Sequence, residues 1–266
     1  MSEYVRVSRN GGVLEVVIDK PKANAIDMKV SQALGEAFVM LRDDPELSVG
    51  IITGGGERIF CAGWDLKAVE SGEMSIDNWW EDDYGPGGFA GLTELWDLNK
   101  PVIAALNGIT LGGGVEIMLS CDLIIAAEHV EIGLPEMPLG IVPDAGAVQR
   151  LPRRIPYNKA MEMLLLGERM GAAEAARYGL VNAVVPADQL MSTARAWAGK
   201  LAGVAPLALQ SIKELLRAIE GDTIQDAFNT MRSADLPIYR ALLGSDDAQE
   251  GISAFVEKRP ADFKGQ

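Results

Sequence analysis

The sequence has few of the residues that build several common kinds of catalytic and metal sites. Its 266 residues include one histidine, His129, and two cysteines, Cys61 and Cys121. A single histidine argues against a Ser/His/Asp or Cys/His catalytic machine and against a His-rich metal centre. We therefore predict no metal site and an exposed structural role for His129. Neither cysteine has a paired metal-ligand spacing, so both are expected to be reduced and packed.

Basic residues and long apolar runs are also scarce. The chain has 24 lysines and arginines against 38 aspartates and glutamates, which gives a net charge of −14. Binding to nucleic acid or to an anionic membrane needs clustered basic residues, so neither partner is expected. No apolar run reaches the roughly 18 residues of a membrane span, and residues 1–4 lack a charged-then-apolar signal pattern. We expect a cytoplasmic protein.

The chain does contain a glutamate placed directly after three glycines. Residues 102–106 read as an apolar strand, and after Leu111 the glycines 112–114 open an amphipathic stretch that contains Glu116. Glycines let backbone N–H groups approach a ligand, and a helix N-terminus carries partial positive charge, so this junction can hold an oxyanion or a phosphate. No Lys-Ser or Lys-Thr follows, as in a P-loop, and contiguous glycines do not fit the dinucleotide fingerprint. An oxyanion site is the favoured interpretation.

A second glutamate, Glu136, follows Pro135 twenty residues later. Together the two glutamates suggest acid/base chemistry beside an anion-binding loop. The residues alone leave an alternative for each of them. Glu116 fits equally well as a solvated residue of a helix's first turn, and Glu136 as a solvated carboxylate in a proline-rich loop.

Another glycine-bearing segment lies nearer the start of the chain. Residues 50–53 read as a short buried strand, followed by three glycines at 54–56 and by Phe-Cys-Ala-Gly-Trp-Asp-Leu at 60–66. The small residues Ala62 and Gly63 leave the next N–H, that of Trp64, accessible to a ligand. Two separate segments therefore present backbone donors.

Apolar periodicity predicts an α/β core over residues 1–200 and a helical region over residues 201–266. Strands are expected at residues 13–18, 49–53, 102–106 and 123–126, and helices at residues 28–41 and 115–121. After Pro206, a suitable first helical residue, one helix should run towards Gly221. A second helical stretch is expected over residues 223–243. A third helix, capped by Ser245, should end near Lys258.

These segments resemble the crotonase superfamily, the enoyl-CoA hydratases and isomerases. That superfamily carries a Phe-x-Ala-Gly-x-Asp-Leu segment followed by a Gly-Gly-Gly-x-Glu segment. The resemblance covers nearly the whole chain, in residues 20–25, 60–66, 112–116, 134–143, 149–152 and 255–259. It implies an α/β fold that is a spiral of β-β-α units with a C-terminal helical trimerisation region. It also implies a homotrimer or a hexamer made of two trimers.

The resemblance implies specific roles in the hydration of an α,β-unsaturated acyl-CoA thioester. Backbone N–H groups of Trp64 and Gly113 would bind the enolate oxygen, while Glu116 acts on water and Glu136 on the α-carbon. Coenzyme A enters as part of the substrate, so no separate cofactor is expected. The coenzyme A contacts that the resemblance implies are Lys22, Ala23, Ala25, Ala62, Asp65, Leu66, Lys67, Phe255 and Lys258.

Within the superfamily the chain resembles the carnitinyl-CoA dehydratases, also called crotonobetainyl-CoA hydratases. The shared segments are residues 21–27, 62–67, 85–94 and 139–144. Ordinary enoyl-CoA hydratases usually have alanine in place of Trp64 and glycine in place of Asp144. The resemblance implies crotonobetainyl-CoA as the substrate. A general short-chain enoyl-CoA hydratase, an isomerase that uses Glu136 and Asp144 as a proton shuttle, and an inert acyl-CoA-binding protein stay open as alternatives.

The segment of residues 77–84 combines three aromatic and four acidic residues. Aromatic faces and carboxylates both attract a quaternary ammonium group. We therefore hypothesise that part of this segment receives the trimethylammonium group at the end of the acyl pocket. The acyl-pocket candidates are Trp64, Trp79, Trp80, Tyr84 and Asp144. The alternative is a solvated acidic loop that its tryptophans anchor.

Overall fold

The alternation of apolar strands and amphipathic helices produces two β-sheets surrounded by helices. The computed structural model describes residues 2–266. The strands are β1 (Val5–Asn10), β2 (Val13–Ile18), β3 (Val49–Gly54), β4 (Ile59–Cys61), β5 (Val102–Leu106), β6 (Ile109–Leu111), β7 (Leu123–Ala127), β8 (Glu131–Gly133), β9 (Met170–Gly171) and β10 (Ala183–Val185). The helices are α1 (Met28–Asp43), α2 (Leu66–Glu70), α3 (Gly113–Ser120), α4 (Ala147–Arg154), α5 (Tyr157–Leu166), α6 (Ala172–Arg177), α7 (Leu190–Ala202), α8 (Pro206–Ala218), α9 (Ile224–Ser233), α10 (Pro237–Leu243) and α11 (Asp246–Glu257).

The larger sheet holds most of the core. Its strand order is β1-β2-β3-β5-β7-β10, and all neighbours are parallel except the antiparallel pair β1 and β2. Every residue of β3 and β5 is buried. Parallel strands covered on both faces read as continuous apolar runs, and for this reason these two strands were recognisable in the sequence. Helices α1 and α7 pack against this sheet.

The smaller sheet has the order β4-β6-β8-β9. Its first three strands are parallel, and β9 pairs with β8 in the antiparallel sense. Neighbouring parallel strands end at the same edge of a sheet. The loops that follow β4, β6 and β8 therefore start side by side.

The predicted fold class is confirmed, and so are the individual core elements. The predicted strands occur with their ends within a residue of the expected positions. Helix α1 begins at a cap: the Asp27 carboxylate accepts a hydrogen bond from the N–H of Val30 at 2.8 Å. This bond satisfies one of the free donors of the first helical turn. Helix α3 begins at Gly113, two residues earlier than predicted, because Gly112 rather than Gly114 turns the chain.

The prediction of one helical stretch over residues 223–243 is wrong. Helix α9 ends at Ser233, and α10 begins at Pro237. Leu236 has φ −124° and ψ 76°, because a residue that precedes proline is forced out of the helical region. The predicted cap of the last helix is confirmed: the Ser245 hydroxyl accepts a hydrogen bond from the N–H of Ala248 at 3.1 Å.

The cysteines and the histidine take the structural positions that the sequence predicted. Cys61 and Cys121 are buried and unbridged. His129 is exposed, and its Nε2 atom lies 3.2 Å from the carbonyl oxygen of Glu57 and 3.1 Å from that of Asn107. Across residues 2–266, no helix combines the length and apolarity needed to cross a membrane.

Candidate active site

The loops that carry the predicted site residues leave one edge of the smaller sheet. Trp64 follows β4, Gly113 follows β6 and Glu136 follows β8. Glu116 lies in the first turn of α3, directly after β6. All four residues line one cavity of about 600 Å³. The sheet topology thus brings together residues that are up to 72 positions apart in the chain (136 − 64).

Two positions at the start of α3 must be glycine because neighbouring atoms leave no room for a side chain. A Cβ on Gly112, which has φ +52°, would lie 2.6 Å from the Oε1 atom of Glu136. A Cβ on Gly113 would lie 2.6 Å from Cε1 of the Phe89 ring. Both distances are far below van der Waals contact, so neither position has space for a side chain. The glycines let a carboxylate and an aromatic ring approach the helix N-terminus from different directions.

The backbone N–H groups of Trp64 and Gly113 are both available to a ligand. The chain on either side of Trp64 is fixed, because the N–H of Ile26 donates to the Gly63 carbonyl at 2.8 Å and the N–H of Asp65 donates to the Ile26 carbonyl at 2.9 Å. A Cβ on Gly63 would lie 2.8 Å from the backbone nitrogen of Gly113, so the two donor segments are in contact. Within the described residues, neither donor has a protein acceptor. Two backbone donors without a protein acceptor therefore lie in neighbouring segments of the cavity lining.

Glu116 is buried, with 4% of its surface exposed, and is not the solvated residue that the sequence left open. Its Oε1 atom accepts a hydrogen bond from the N–H of Ala147, the first residue of α4, at 3.1 Å. Burial raises the pKa of Glu116 to about 8. The hydrogen bond from Ala147 opposes this increase, while the negative charges of Glu136 and Asp144 add to it. Glu116 is thus a fixed carboxyl group that retains its proton more readily than usual.

Glu136 is also buried, but it is held differently. Its exposed fraction is 8%, and its Oε2 atom has no hydrogen-bond partner among the described residues. Burial raises the pKa of Glu136 to about 7. Buried polar atoms almost always have a partner, and exceptions are typical of catalytic groups. The free oxygen of Glu136 is available to exchange a proton with a ligand in the cavity.

The two carboxyl groups together provide an acid and a base near neutral pH. Both pKa values are raised, so the pair keeps a proton at a pH where ordinary glutamates are ionised. Neighbouring carboxyl groups titrate as a coupled pair, in which ionisation of one disfavours ionisation of the other. One group can therefore donate a proton while the other accepts one.

We expect Glu116→Gln to stabilise the protein more at pH 8 than at pH 5. The folded-state pKa of Glu116 lies above the ordinary value of 4.5, so the folded protein retains a proton that the unfolded chain releases. The stability that this proton contributes is complete below about pH 4.5 and is lost as the pH rises towards about 8. Glutamine does not titrate and removes this loss. Thermal unfolding should show the Tm difference between variant and wild type growing by several degrees over this range, at roughly 2–4 °C per kcal/mol.

The control for this prediction is Glu81→Gln, at an exposed residue outside the cavity. It should leave the pH dependence of Tm unchanged. Parallel Tm curves for Glu116→Gln and wild type between pH 5 and pH 8 would show that the pKa of Glu116 is not raised.

Four of the five acyl-pocket candidates line the cavity, and the fifth, Tyr84, is buried outside its lining. Trp79 Nε1 donates to the Asp144 carboxylate at 3.1 Å, and both residues line the cavity. Trp64 and Trp80 also line it, and Trp80 is 61% exposed. Tyr84 lies outside the lining: it is buried, and its ring packs edge-on against that of Trp79 at 6.0 Å between centroids. Aromatic faces and a carboxylate are thus on the same wall.

The acidic residues of the segment 77–84 differ in position: one lines the cavity, and two accept hydrogen bonds from the backbone of their own loop. Asp77 lines the cavity. The Asp82 carboxylate accepts a hydrogen bond from the N–H of Ser75 at 2.7 Å, and the Asp83 carboxylate accepts one from the N–H of Gly85 at 3.1 Å. The last two carboxylates stabilise the loop itself and do not line the cavity.

Several of the predicted coenzyme A contacts lie at or beside the cavity. Ala62 and Leu66 line it. The Ala23 carbonyl accepts the N–H of Ala62 at 3.1 Å, which joins the loop of residues 20–25 to the segment that carries Trp64. Lys22 and Lys67 are exposed near this junction, and Ala25 is half-buried. The structure thus groups these residues on one side of the site.

Asp65 stabilises the junction between the loop of residues 20–25 and the segment that carries Trp64. Its carboxylate accepts a hydrogen bond from the N–H of Lys67 at 3.1 Å and caps α2. Lys20 Nζ bridges Asp27 at 2.6 Å and Asp65 at 2.7 Å. Lys20 was not among the predicted site residues, although it stands two positions before Lys22 in the same loop. The only local signal for its role was its position in the segment that resembles a coenzyme A loop.

Phe255 and Lys258 do not line the cavity of their own chain. Phe255 lies on α11 with 86% of its surface exposed, and Lys258 follows the helix as its left-handed cap. Neither residue lines the cavity. Their predicted contact with coenzyme A stays a prediction.

Two unpaired backbone N–H donors in a cavity lining that also holds two buried carboxyl groups suit an enzyme that holds negative charge on a carbonyl oxygen and moves protons at adjacent carbons. The model of the enoyl-CoA hydratase/isomerase family matches residues 8–266. The chain belongs to this family and is a hydro-lyase of the enoyl-CoA hydratase type with the crotonase fold.

Individual relatives cover the full length of the chain. It is 52% identical over 266 residues to the carnitinyl-CoA dehydratases of Proteus mirabilis (strain HI4320) and Salmonella typhi, with 100% of both chains covered in each case. The crystal structure of an enoyl-CoA hydratase from Mycobacterium tuberculosis H37Rv superimposes with a TM-score of 0.88 at 36% identity, covering 100% of both chains. An enoyl-CoA hydratase from Bacillus anthracis gives a TM-score of 0.87 at 33% identity, covering 99% of this chain and 100% of the other. The predicted superfamily is confirmed.

Proposed function

We propose that this enzyme catalyses the reversible hydration of crotonobetainyl-CoA to carnitinyl-CoA. The observation that carries the proposal is the hydrogen-bonded pair of Trp79 and Asp144 in the wall of the cavity that holds both glutamates. The full-length 52% identity to carnitinyl-CoA dehydratases supports the same substrate.

The proposed hydration begins with the thioester oxygen on the N–H groups of Trp64 and Gly113. The reactive form of the coupled pair is the one in which Glu116 is ionised and Glu136 holds the proton. In this form Glu116 accepts a proton from water as the water oxygen bonds to the β-carbon. The electron pair of the carbon–carbon double bond moves towards the thioester, and the two donors hold the negative oxygen. Glu136 then gives its proton to the α-carbon, and the thioester carbonyl re-forms. Glu116 releases its proton and Glu136 takes one up, by exchange with solvent, before the next turnover. Dehydration follows the same steps in reverse.

The proposed roles of the two glutamates are based on the contacts that each carboxyl group makes. The hydrogen bond from Ala147 fixes one oxygen of Glu116, which suits a base that must orient a water molecule. Glu136 lies against Gly112, directly before the Gly113 donor, and has a free oxygen. A proton donor to the α-carbon must stand next to the group that binds the adjacent carbonyl oxygen, and Glu136 meets this requirement.

The substrate proposal depends on the charge of the acyl group. Crotonobetaine carries a trimethylammonium group, which is attracted to aromatic faces by roughly 0.5–2 kcal/mol depending on desolvation. Trp79 and Trp80 lie edge-to-face at 6.1 Å between ring centroids, and both line the cavity. Asp77 and Asp144 add negative charge to the same lining. A neutral acyl group would gain nothing from these carboxylates.

The test compares kcat/KM for crotonobetainyl-CoA and crotonyl-CoA, followed by the loss of the conjugated thioester absorbance. We expect the wild type to prefer the cationic substrate by about 10-fold or more, the equivalent of about 1.4 kcal/mol. Asp144→Asn should reduce this preference by about 10-fold while changing kcat/KM for crotonyl-CoA much less. Glu81→Gln, which removes an acidic charge outside the cavity, should retain the wild-type preference.

Each other result of this comparison would indicate one of the three alternative functions. A preference for crotonyl-CoA would indicate a general short-chain enoyl-CoA hydratase. Double-bond migration without hydration would indicate an isomerase that uses Glu136 and Asp144. Absence of any reaction, together with absence of α-proton exchange, would indicate an acyl-CoA-binding protein.

We also propose that residues 201–266 form an oligomerisation region that builds a homotrimer or a pair of trimers. The helices of this region expose apolar side chains that a single chain leaves uncovered. These side chains are Ile212, Leu216, Ile224, Phe228, Leu243, Ile252, Phe255 and Val256. A large apolar patch is typical of protein interfaces, and the proposal is that these side chains form one.

A further inference from the structure

The proposed mechanism assigns no role to the glycine-rich segment of residues 85–91. Its backbone is left-handed at Gly85, Gly87, Gly88, Ala90 and Gly91. Ala90 has φ +56°, and such a conformation costs a non-glycine residue roughly 1 kcal/mol or more. Strained residues of this kind persist only where the surrounding structure holds them in place.

Helix α1 holds this segment. A Cβ on Gly91 would lie 2.6 Å from the Cα of Gly35, and Pro86 also packs directly against Gly35. The N–H of Ala90 donates to the buried Ser31 hydroxyl at 2.8 Å. The segment is therefore fixed to α1 by backbone contact and by a buried hydrogen bond.

The fixed segment presents Phe89 to one of the two oxyanion donors. Phe89 is 3% exposed. A Cβ on Gly113 would lie 2.6 Å from Cε1 and 2.7 Å from Cζ of this ring. The ring edge thus lies directly against the Cα of Gly113, which lines the cavity, and it limits how far Gly113 can move.

Tyr84 packs against Phe89 from outside the cavity lining. The Tyr84 hydroxyl and the Trp64 indole N–H are both buried, and neither has a hydrogen-bond partner within residues 2–266. Burial raises the pKa of Tyr84 to about 12. The rings of Tyr84 and Phe89 pack edge-on, 5.7 Å apart between centroids.

We propose that Phe89, with Tyr84 packed behind it, is a positioning residue that holds the Gly113 N–H donor of the oxyanion hole in place beside the segment that carries the Trp64 donor. The inference rests on the proposed function, because it takes the N–H groups of Trp64 and Gly113 as the oxyanion donors. Loss of one such donor costs roughly 100- to 1000-fold in turnover, and a displacement of about 1 Å can cost about 100-fold. A rigid support for the Gly113 donor therefore has a large catalytic value. Such a role accounts for the strained, glycine-rich backbone that fixes Phe89.

The experiment uses Phe89→Leu and an unreactive probe, cinnamoyl-CoA with a para-dimethylamino group. Polarisation of its thioester carbonyl by hydrogen bonds shifts its absorbance to longer wavelength. We expect the wild type to produce this shift on binding and Phe89→Leu to lose about half of it or more. Turnover should fall by about 10-fold or more, with KM changed by less than about 3-fold, because the donors act mainly in the transition state.

Two further variants separate positioning from other effects. Tyr84→Leu should reduce the shift as well, and since Tyr84 lies outside the cavity lining, it cannot act by touching the probe. It also replaces Phe89→Leu if that variant does not fold. Phe38→Leu makes the same chemical change at a fully buried residue of α1. It should lower Tm but leave the shift intact.

A full shift in folded Phe89→Leu and Tyr84→Leu would overturn the positioning role while leaving the oxyanion hole in place. A shift lost equally in Phe38→Leu would also overturn it, because general destabilisation would then be the cause. A wild type that binds the probe without any shift would refute the proposed oxyanion hole itself, and the inference with it. The probe carries no cationic group, so none of these results depends on the preference for crotonobetainyl-CoA.

Discussion

Glu136→Gln should lower kcat/KM for hydration by about 1000-fold and abolish exchange of the α-proton with solvent. Removal of a group that transfers a proton in the transition state typically costs 100- to 10,000-fold. Glutamine keeps the size of the side chain but can neither give nor take the proton. Hydration is measured by the loss of the thioester absorbance, and exchange by incorporation of deuterium into an acyl-CoA in D₂O.

Glu116→Gln is the matched control for this prediction. It makes the same change at the other buried carboxyl group, which is proposed to act on water and not on the α-carbon. It should abolish hydration to a similar extent while retaining measurable α-proton exchange. Near-normal exchange in Glu136→Gln would refute the role assigned to Glu136, and loss of exchange in both variants would show that the two glutamates do not divide the chemistry.

Gly63→Ala should reduce kcat by about 100- to 1000-fold, the cost of losing one oxyanion donor. Gly63 has φ +90°, and its Cβ would lie 2.8 Å from the backbone nitrogen of Gly113 and 2.9 Å from the carbonyl oxygen of Leu111. Both neighbours are backbone atoms of the other donor segment and cannot rotate away. The methyl group would therefore push apart the segments that carry Trp64 and Gly113. Steady-state kinetics and the absorbance shift of the bound cinnamoyl probe measure the effect.

Gly72→Ala separates this steric effect from backbone strain. Gly72 has φ +78°, so alanine is strained there too, but a Cβ at this position meets nothing within 4 Å. We expect Gly72→Ala to lower Tm, as a strained substitution does, and to retain near-normal kcat. Equal losses of kcat in the two variants would indicate that strain, and not separation of the donors, is responsible.

The residues of the site that could be predicted from the sequence are those with a local signal. Glu116 follows a strand, a run of glycines and a helix start, and this order by itself indicates an anion-binding turn. The α/β pattern was readable because the strands of the larger sheet are continuous apolar runs. Glu136 had no comparable signal, since a single glutamate in a proline-bearing loop is usually solvated. Only the resemblance of several ordered segments selected it.

The contacts that could not be predicted join residues far apart in sequence. The N–H that holds Glu116 comes from Ala147, 31 positions away, and Trp79 reaches Asp144 across 65 positions. Side-chain packing of this kind follows from the meeting of loops at a sheet edge and has no periodic signature in the chain. The same limit explains why residues 77–84 could not be divided beforehand into those that face the cavity and those that stabilise the loop. It also explains why the segment 85–91 was recognised without its contact to Gly113.

The sequence by itself determined the family and the alternation of strands and helices, and it singled out two glutamates and two backbone donors as the candidate site residues. These properties reside in short segments whose glycines, apolar periods and caps act locally. Only the tertiary structure decided that both glutamates are buried, that their pKa values are raised and that one of them keeps an unpartnered oxygen. Burial and charge proximity are properties of the folded arrangement. They arise here because the parallel strands β4, β6 and β8 end together and bring three distant loops into one cavity.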